Sequence, residues 1–352
     1  MSEPKRLPVV TSAEQAVVGG CGGRARMSPA ERQRDSRRRL PEWFRTSLPT
    51  GAAQVRYNRT NASVQNGHLN TVCQEARCPN IHDCWGRGTA TFMVAGEVCT
   101  RGCRFCAVGT TRTPEPLSAS EPERLAEAVA AMRLSHAVIT CVNRDDLDDG
   151  GAAHHRACLE AVAARSPSVD LEFLCSDLDG DLQALAGLLA DLPIRVFAHN
   201  VECVPRLDPK VRDPRASFAR SLTILEEAKR LRPDLLTKSS LMVGVGETDD
   251  EVVEVMESLR GVGVDLLTIG QYLQPSERHL QVDRFPEPAR FADWQRIARE
   301  LGFLAVASGP LVRSSFRAGL LLKQAAAGRS RSSAPTAMAV ADGIQDGDGG
   351  AV

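Results

Sequence analysis

"TATFMVAGEVCTRGCRFC" spans Thr89 to Cys106. It joins an apolar run, "TATFMVAG", to three cysteines spaced three and then two residues apart. A short apolar run bounded by turn residues reads as a buried strand. The alternation downstream of it decides the fold. "SEPERLAEAVAAMRL" reads as a helix opened by a capping box at Ser120 and Glu123, with Pro122 in its first turn. "HAVITCV" is the next strand, and the stretch around Ala152–Ala164 the next helix. "LEFLCS", "IRVFAHN", "TKSSLMVGV" and "VDLLTIGQYL" continue the strands. "DLQALAGLLADL", "SFARSLTILEEAKRL", "TDDEVVEVMESLRGVG" and "PARFADWQRIARELG" continue the helices, with a second capping box from Thr248 to Glu251.

Six strand–helix units in alternation imply a parallel sheet with helices outside it. The expected fold class is α/β, an incomplete (β/α)6 parallel barrel. The polar stretches come directly after the strands: Cys99–Cys106, "NRDDLDDGG", "HNVE", "GVGE" and "QYLQPS". In parallel barrels the strand C-terminal edges carry the site, because their loops converge on one mouth.

The rest of the chain sets limits. Its 352 residues hold one large domain or two medium ones, and a net charge of -1 gives no general pull toward nucleic acid or membrane. No apolar run of about 18 residues suggests a membrane span. "MSEPKRLPVV" lacks the apolar core of a signal peptide, so cytoplasmic localisation is expected and the 11 cysteines read as thiols or metal ligands. Residues 1–40, including "RQRDSRRR", are expected to form a flexible Arg/Gly/Ser-rich arm. From about Lys323 the chain turns low-complexity, so a disordered tail is expected at 323–352. Between them lie an N-terminal extension at 41–88 and the barrel with a C-terminal segment at 89–322.

Three thiolates spaced like Cys99, Cys103 and Cys106 can reach three irons of one cubane cluster. One iron is then left without a protein ligand, a coordination position open to a reactant, as in catalytic zinc sites. A zinc knuckle or incidental thiols are the competing readings. A second group, "CQEARCPNIHDC", carries Cys73, Cys78 and Cys84, which alone would also suit zinc. Cys141, Cys158, Cys175 and Cys203 are expected to be buried small hydrophobes. His154 and His155 are sequence neighbours and do not share a helix face.

"CTRGCRFC", including Phe105 before the last cysteine, resembles the signature of the radical S-adenosylmethionine (SAM) superfamily. "TVCQEARCPNIHDCW", "GTATFM", "RDDLDDGGA", "HNVE", "TKSSLMVGVGET", "DLLTIGQYLQPS" and "VASGPLVRSS" resemble the lipoyl synthase family in sequence and order, over about Pro41 to Ala318. The resemblance implies a sulfurtransferase that inserts two sulfur atoms, at C6 and C8, into an octanoyl group on a lysine of a lipoyl carrier domain. It implies two [4Fe–4S] clusters and SAM. Cys99, Cys103 and Cys106 would hold the SAM-binding cluster. Cys73, Cys78 and Cys84 would hold an auxiliary, sulfur-donating cluster with Ser315 of "RSSF" as fourth ligand. Successive side chains of an extended segment face opposite ways, so Ser315 excludes Ser314 from that role. Asn143, Asp145, Glu202, Lys238 and Glu247 fall in segments that face SAM in the superfamily, and Arg313 would orient the serine or the substrate carbonyl.

Expected partners are octanoylated carrier domains (2-oxoacid dehydrogenase E2 subunits and the glycine cleavage H protein), an electron donor such as flavodoxin or ferredoxin, and iron–sulfur carrier proteins. Neither nucleic acid nor membrane is expected. The chain departs from the family pattern at Phe316 (usually Tyr), at Ala198 (usually Asn) and at Cys175-Ser176 (usually Val-Pro). These departures keep two alternatives in view: a paralogue inserting sulfur into another substrate, and a non-enzymatic zinc-binding protein.

Overall fold

The computed structural model describes residues 40–45, 48–66, 70–75, 78–87 and 89–332. They belong, Leu40 apart, to a compact unit that begins at Pro41. The arm expected at 1–40 lies outside the described residues, Leu40 apart, as do residues 333–352 of the expected tail.

Three α-helices and one short strand precede the first apolar strand: α1 (Ala52–Asn66), β1 (Asn70–Thr71), α2 (Val72–Glu75) and α3 (Ile81–Gly86). β2 (Thr91–Val94) is the strand of the opening stretch, and the two-residue strands β3 (Val98–Cys99) and β4 (Gly109–Thr110) bracket the cysteine loop. The alternation continues with α4 (Glu121–Met132), β5 (His136–Cys141), α5 (Ala152–Arg165), β6 (Asp170–Leu174), α6 (Leu182–Leu189) and β7 (Val196–Ala198). After the one-turn α7 (Asp208–Val211) come α8 (Phe218–Leu231), β8 (Leu236–Val243), α9 (Asp249–Gly261), β9 (Leu266–Gln271) and α10 (Pro288–Glu300). β10 (Ala305–Gly309) and α11 (Ala318–Ser332) end the described chain.

One sheet takes these strands in the order β1-β2-β5-β6-β7-β8-β9-β10. From β2 to β10 all neighbours pair parallel; β1 alone is antiparallel, against β2. The two ends of the sheet do not pair with each other, so the barrel is open at that seam. The six expected units are present. β10 adds a seventh parallel strand that the alternation did not reveal, because "AVASG" is short and rich in small residues.

The helix caps differ from expectation at one end. Thr248 and Glu251 form the predicted capping box on α9, each side chain accepting from the other's backbone N–H. Ser120 does not cap α4. Its φ of -90° and ψ of -4° are helical rather than extended, and its hydroxyl meets Ser118 at 3.1 Å. Glu123 pairs with Arg165 instead.

Alternate residues of each strand face the lumen. At its N-terminal end Val196, Leu236, Leu266 and Ala305 pack against Leu321, Leu322 and Ala325 of α11. A Cβ at Gly319 would come within 3.1 Å of His136, the first residue of β5, so glycine permits that close approach. α11 therefore lies across the floor of the barrel. This corrects the expectation of a structureless chain from 323. Alanine is the strongest helix former, and Ala325 has no exposed surface.

In register with that apolar layer, Lys238 Nζ donates to Glu172 Oε1 at 2.7 Å, with both side chains almost fully buried. Burial alone would raise the Glu172 carboxyl, but the Lys238 charge, with His136 nearby, holds it below its ordinary value. Losing one partner strands the other charge. Lys238→Met should lower unfolding free energy by roughly 3–5 kcal/mol in urea titrations, and Lys238→Met with Glu172→Leu should recover most of it. A single variant as stable as its parent contradicts the pairing.

Candidate iron–sulfur and SAM site

The cysteine loop comes after β2 and is fastened by other loops at the same edge of the sheet. Cys99 Sγ accepts from the backbone N–H of Arg101 at 3.4 Å and of Asn143, after β5, at 3.3 Å. Cys103 Sγ accepts from Asp213 N, after α7, at 3.3 Å. Arg104 N donates to Val211 O, and Leu280 N, after β9, donates to Arg104 O, both at 2.9 Å. His279 Nε2 lies 2.9 Å from Cys106 O; a carbonyl only accepts, so that nitrogen carries the proton and Nδ1 accepts from Ser276 Oγ.

Arg101 is the centre of this fastening. Its guanidinium is 2% exposed and meets Asp145 Oδ1 and Asp177 Oδ2, each at 2.7 Å. Asp145 comes from the loop after β5 and Asp177 from the loop after β6. Arg215 joins them, pairing with Asp145 and Asp213 and donating to Thr100 O. Asp213 also accepts from Gly102 N, inside the cysteine loop, at 2.8 Å. Burial would raise the Asp213 carboxyl, but Arg215 and the Gly102 amide hold it well below the usual range.

The three sulfurs suit a metal cluster. Burial pushes the thiols of Cys103 to about 11 and Cys106 to about 12, so as free thiols they resist ionising. Backbone N–H groups aimed at sulfur are what a thiolate ligand accepts. Glu202, at φ 66°, stands close enough to add to the rise at both cysteines, and burial raises its own carboxyl. Phe105 packs against the apolar core under α9 and α10.

The second triad meets the C-terminal segment. Cys73 on α2, Cys78 just ahead of α3 and Cys84 on α3 line one pocket with Asn80, Ile81, Thr89, Thr91, Arg313, Ser315 and Phe316. Ser315 lines it and Ser314 does not. Ser315 Oγ accepts from Thr91 Oγ1 at 2.8 Å. Asn80 Nδ2 donates to Leu311 O, which ties the two extensions together. Gly270 lets this segment approach β9, since a Cβ there would lie 2.1 Å from Val312 O.

This pocket also suits a cluster. Burial, then Cys73 and Cys78, push Cys84 to about 12, and burial raises Cys73. Trp85 Nε1 is buried beside Cys73 without a hydrogen-bond partner. Burial lowers Arg313, which among the described residues has no ion pair; its Nη1 donates to the carbonyls of Gln271 and Val312. An indole N–H beside Cys73 and a cation around three thiols fit an anionic iron–sulfur group. Zinc bonds of about 2.3 Å would put its sulfurs roughly 3.8 Å apart. Among the described residues only Glu121, His154 and Cys158 bring three ligand atoms within 4.8 Å of one another, so neither cysteine triad is that tight.

Several of the expected SAM contacts have protein partners in the structure. Asp145 is held by Arg101, Arg215 and Thr100. Glu247 accepts from Gly244 N at 2.7 Å and Val245 N at 2.9 Å and pairs with Arg284, so it shapes its own turn. Lys238 pairs with Glu172 near the floor. Asn143 and Glu202 do reach the cysteine loop. Arg101, Thr91, Trp85 and Asn80 were not singled out from the sequence. Arg101 had a signal, an arginine inside the cysteine motif, but its partners are set only by the approach of distant loops.

The family model for the radical SAM superfamily matches residues 93–259, and that for the N-terminal domain of lipoyl synthase of the radical SAM family matches residues 25–78. The chain is 48% identical over 318 residues to lipoyl synthase of Thermus thermophilus, covering 90% of this chain and 95% of that protein. It is 48% identical over 294 residues to the mitochondrial lipoyl synthase of Homo sapiens, covering 82% and 78%. In fold it is similar to the FeFe-hydrogenase maturase HydG from Carboxydothermus hydrogenoformans, with a TM-score of 0.51, 13% identity, and coverage of 73% of this chain and 71% of that one.

The two readings of Asp145 give different outcomes. As a holder of the cysteine loop, Asp145→Asn should reduce iron retained through gel filtration from about eight toward about four per chain. SAM affinity of the fraction keeping both clusters should change by less than about threefold. Full iron content with a large loss of SAM affinity would make Asp145 a SAM contact.

Proposed function

The chain belongs to the lipoyl synthase family of radical SAM enzymes, and on that premise we propose that it inserts two sulfur atoms, at C6 and C8, into an octanoyl group carried on a lysine of a lipoyl carrier domain. As a family member it is an enzyme that uses SAM and [4Fe–4S] clusters. Cys99, Cys103 and Cys106 would hold the SAM-binding cluster, and Cys73, Cys78, Cys84 and Ser315 the auxiliary one. When bound, these groups supply the electron that cleaves SAM and the sulfur that enters the substrate. Unactivated C–H bonds are beyond any side-chain base, which is why a cofactor carries that chemistry.

The chain's own residues bind and orient. The amides of Arg101 and Asn143 donate to the sulfur of Cys99, and that of Asp213 to the sulfur of Cys103. Glu202 and Asn143 face the cysteine loop, where the polar groups of SAM would lie. Arg313 offers a cation to the auxiliary pocket. Thr91 donates to Ser315, whose side chain lines the pocket of the thiols. Serine oxygen is harder than thiolate and binds iron–sulfur groups less firmly. Ser315 would therefore be the ligand that releases most readily.

One observation carries this reading. Cys73, Cys78 and Cys84 converge with Ser315, from the far end of the folded chain, on a single pocket. Phe316 lines the same pocket, so the family's tyrosine hydroxyl is missing beside the serine. That favours one further reading, a paralogue with the same clusters and another substrate. The expected partners are octanoylated carrier domains, a flavodoxin- or ferredoxin-type electron donor and iron–sulfur carrier proteins. Among the described residues no helix is long and apolar enough to cross a membrane, and we place the protein in the cytoplasm, although several relatives are named mitochondrial.

Anaerobically reconstituted protein, given an octanoylated carrier, SAM and reductant, should yield a carrier heavier by two sulfur atoms on mass analysis. Replacing Cys99, Cys103 and Cys106 by Ala should abolish SAM cleavage. Replacing Cys73, Cys78 and Cys84 should preserve SAM cleavage and stop sulfur insertion; lipoylated product from that variant would refute the donor assignment. SAM cleavage with no carrier product from the parent protein would favour the paralogue.

A further inference from the structure

Cys141 and Cys175 take no part in either triad. β5 and β6 pair in parallel register from His136↔Asp170 to Thr140↔Leu174. The next residues are Cys141, the last of β5, and Cys175, the first beyond β6, so the two cysteines stand abreast. Both lie on the outer face with Ile139 and Phe173, under α5. Neighbouring strands run about 4.8 Å apart, within the roughly 4.4–6.8 Å between Cα atoms that a disulfide spans. Both thiols are free.

A third group faces them. His155 of α5 is fully buried, its ring 5.5 Å from that of Phe173, and neither ring nitrogen has a hydrogen-bond partner. Gly151 makes room for it, since a Cβ there would lie 3.2 Å from the imidazole. The Cys175 thiol, and then the His155 charge, pull Cys141 well below the ordinary thiol value, while burial raises Cys175. Cys141 is partly exposed and Cys175 is buried. Cys141 Sγ also lies 3.9 Å from Leu174 O as a donor, so two neighbouring thiols sit beside one imidazole between helix and sheet. The three ligand atoms do not close within 4.8 Å, so an ion site is not formed.

We infer that Cys141 and Cys175 are a redox-active dithiol, with His155 as proton carrier, that exchanges with low-molecular-weight disulfides. Cys141 passes its proton to His155, and the resulting thiolate attacks one sulfur of the small disulfide. A mixed disulfide forms, the small S–S bond breaks, and the departing thiolate takes the proton held by His155. Cys175 passes its proton to His155 and attacks the Cys141 sulfur. The internal S–S bond forms, the mixed one breaks, and the second thiolate leaves with that proton. The protein loses two hydrogens and two electrons, and the small disulfide becomes two thiols. Cys141 lies two residues before Asn143 and Cys175 two before Asp177, so the bond would join strand ends that hold the SAM-cluster loop.

The test uses the full-length, cluster-reconstituted protein, anaerobically, with glutathione disulfide as probe, then alkylation and peptide mass mapping. Expected is a peptide pair joined through Cys141 and Cys175, lost on reduction, with both clusters retained. Cys175→Ser should trap glutathione on Cys141, and His155→Asn should slow modification by about tenfold through loss of thiolate. Recovery of both cysteines alkylated in cluster-intact protein overturns the inference. So does a Cys175→Ser variant whose Cys141 stays unmodified, or glutathione persisting on Cys141 in the parent beside a free Cys175.

Discussion

A single buried guanidinium holds the mouth of this barrel together. Arg101 sits inside the cysteine motif and grips Asp145 and Asp177 on the loops after β5 and β6. A buried cation is tolerable only when fully paired, and breaking such a pair typically loses about 3–5 kcal/mol. The loop carrying Cys99, Cys103 and Cys106 therefore cannot lift away without stranding charge. Arg215, Asp213 and Asp179 extend the network to solvent, where charge is screened and each pair contributes less. The three cysteines are thereby held by paired charge, which is how a site on loops acquires the rigidity of the sheet beneath it.

The second site is built differently. Its three thiols come from the short helices ahead of the barrel and the turn between them, and its serine from the segment after β10. Neither piece makes the pocket alone. Asn80 bonds to Leu311, Thr91 to Ser315, and α11 anchors the returning chain across the barrel floor. The open seam between the sheet ends, which would expose strand edges in a free barrel, is where these extensions meet. The contacts that bridge the seam are also those that assemble the auxiliary pocket.

The alternation of apolar strands with amphipathic helices was legible because each element repeats its own period. The cysteine triads were legible because ligand spacing is local. Ser315 needed the family resemblance, since nothing in "RSSF" by itself distinguishes it from Ser314. Other features depended on tertiary approach. Asp145 and Glu247 read as polar groups at a site edge, yet their partners, Arg101 and Arg284, arrive from other segments. Lys238 of β8 pairs with Glu172 of β6 past the intervening β7, which no local pattern reports. Ser120 matched the capping pattern but took a helical backbone angle, so its side chain could not reach back. Alanine-rich sequence after Lys323 read as low-complexity although it is also a strong helix former.

The central claim is that two separate ligand sets, one completed by Ser315, each hold iron. Diffraction from crystals of the reconstituted protein, recorded across the iron absorption edge, measures this directly. The account predicts two iron peaks, one bounded by Cys99, Cys103 and Cys106, the other by Cys73, Cys78, Cys84 and the Ser315 hydroxyl oxygen. A single iron peak, a zinc edge at either triad, or a second cluster with Ser315 turned away from it would contradict the account.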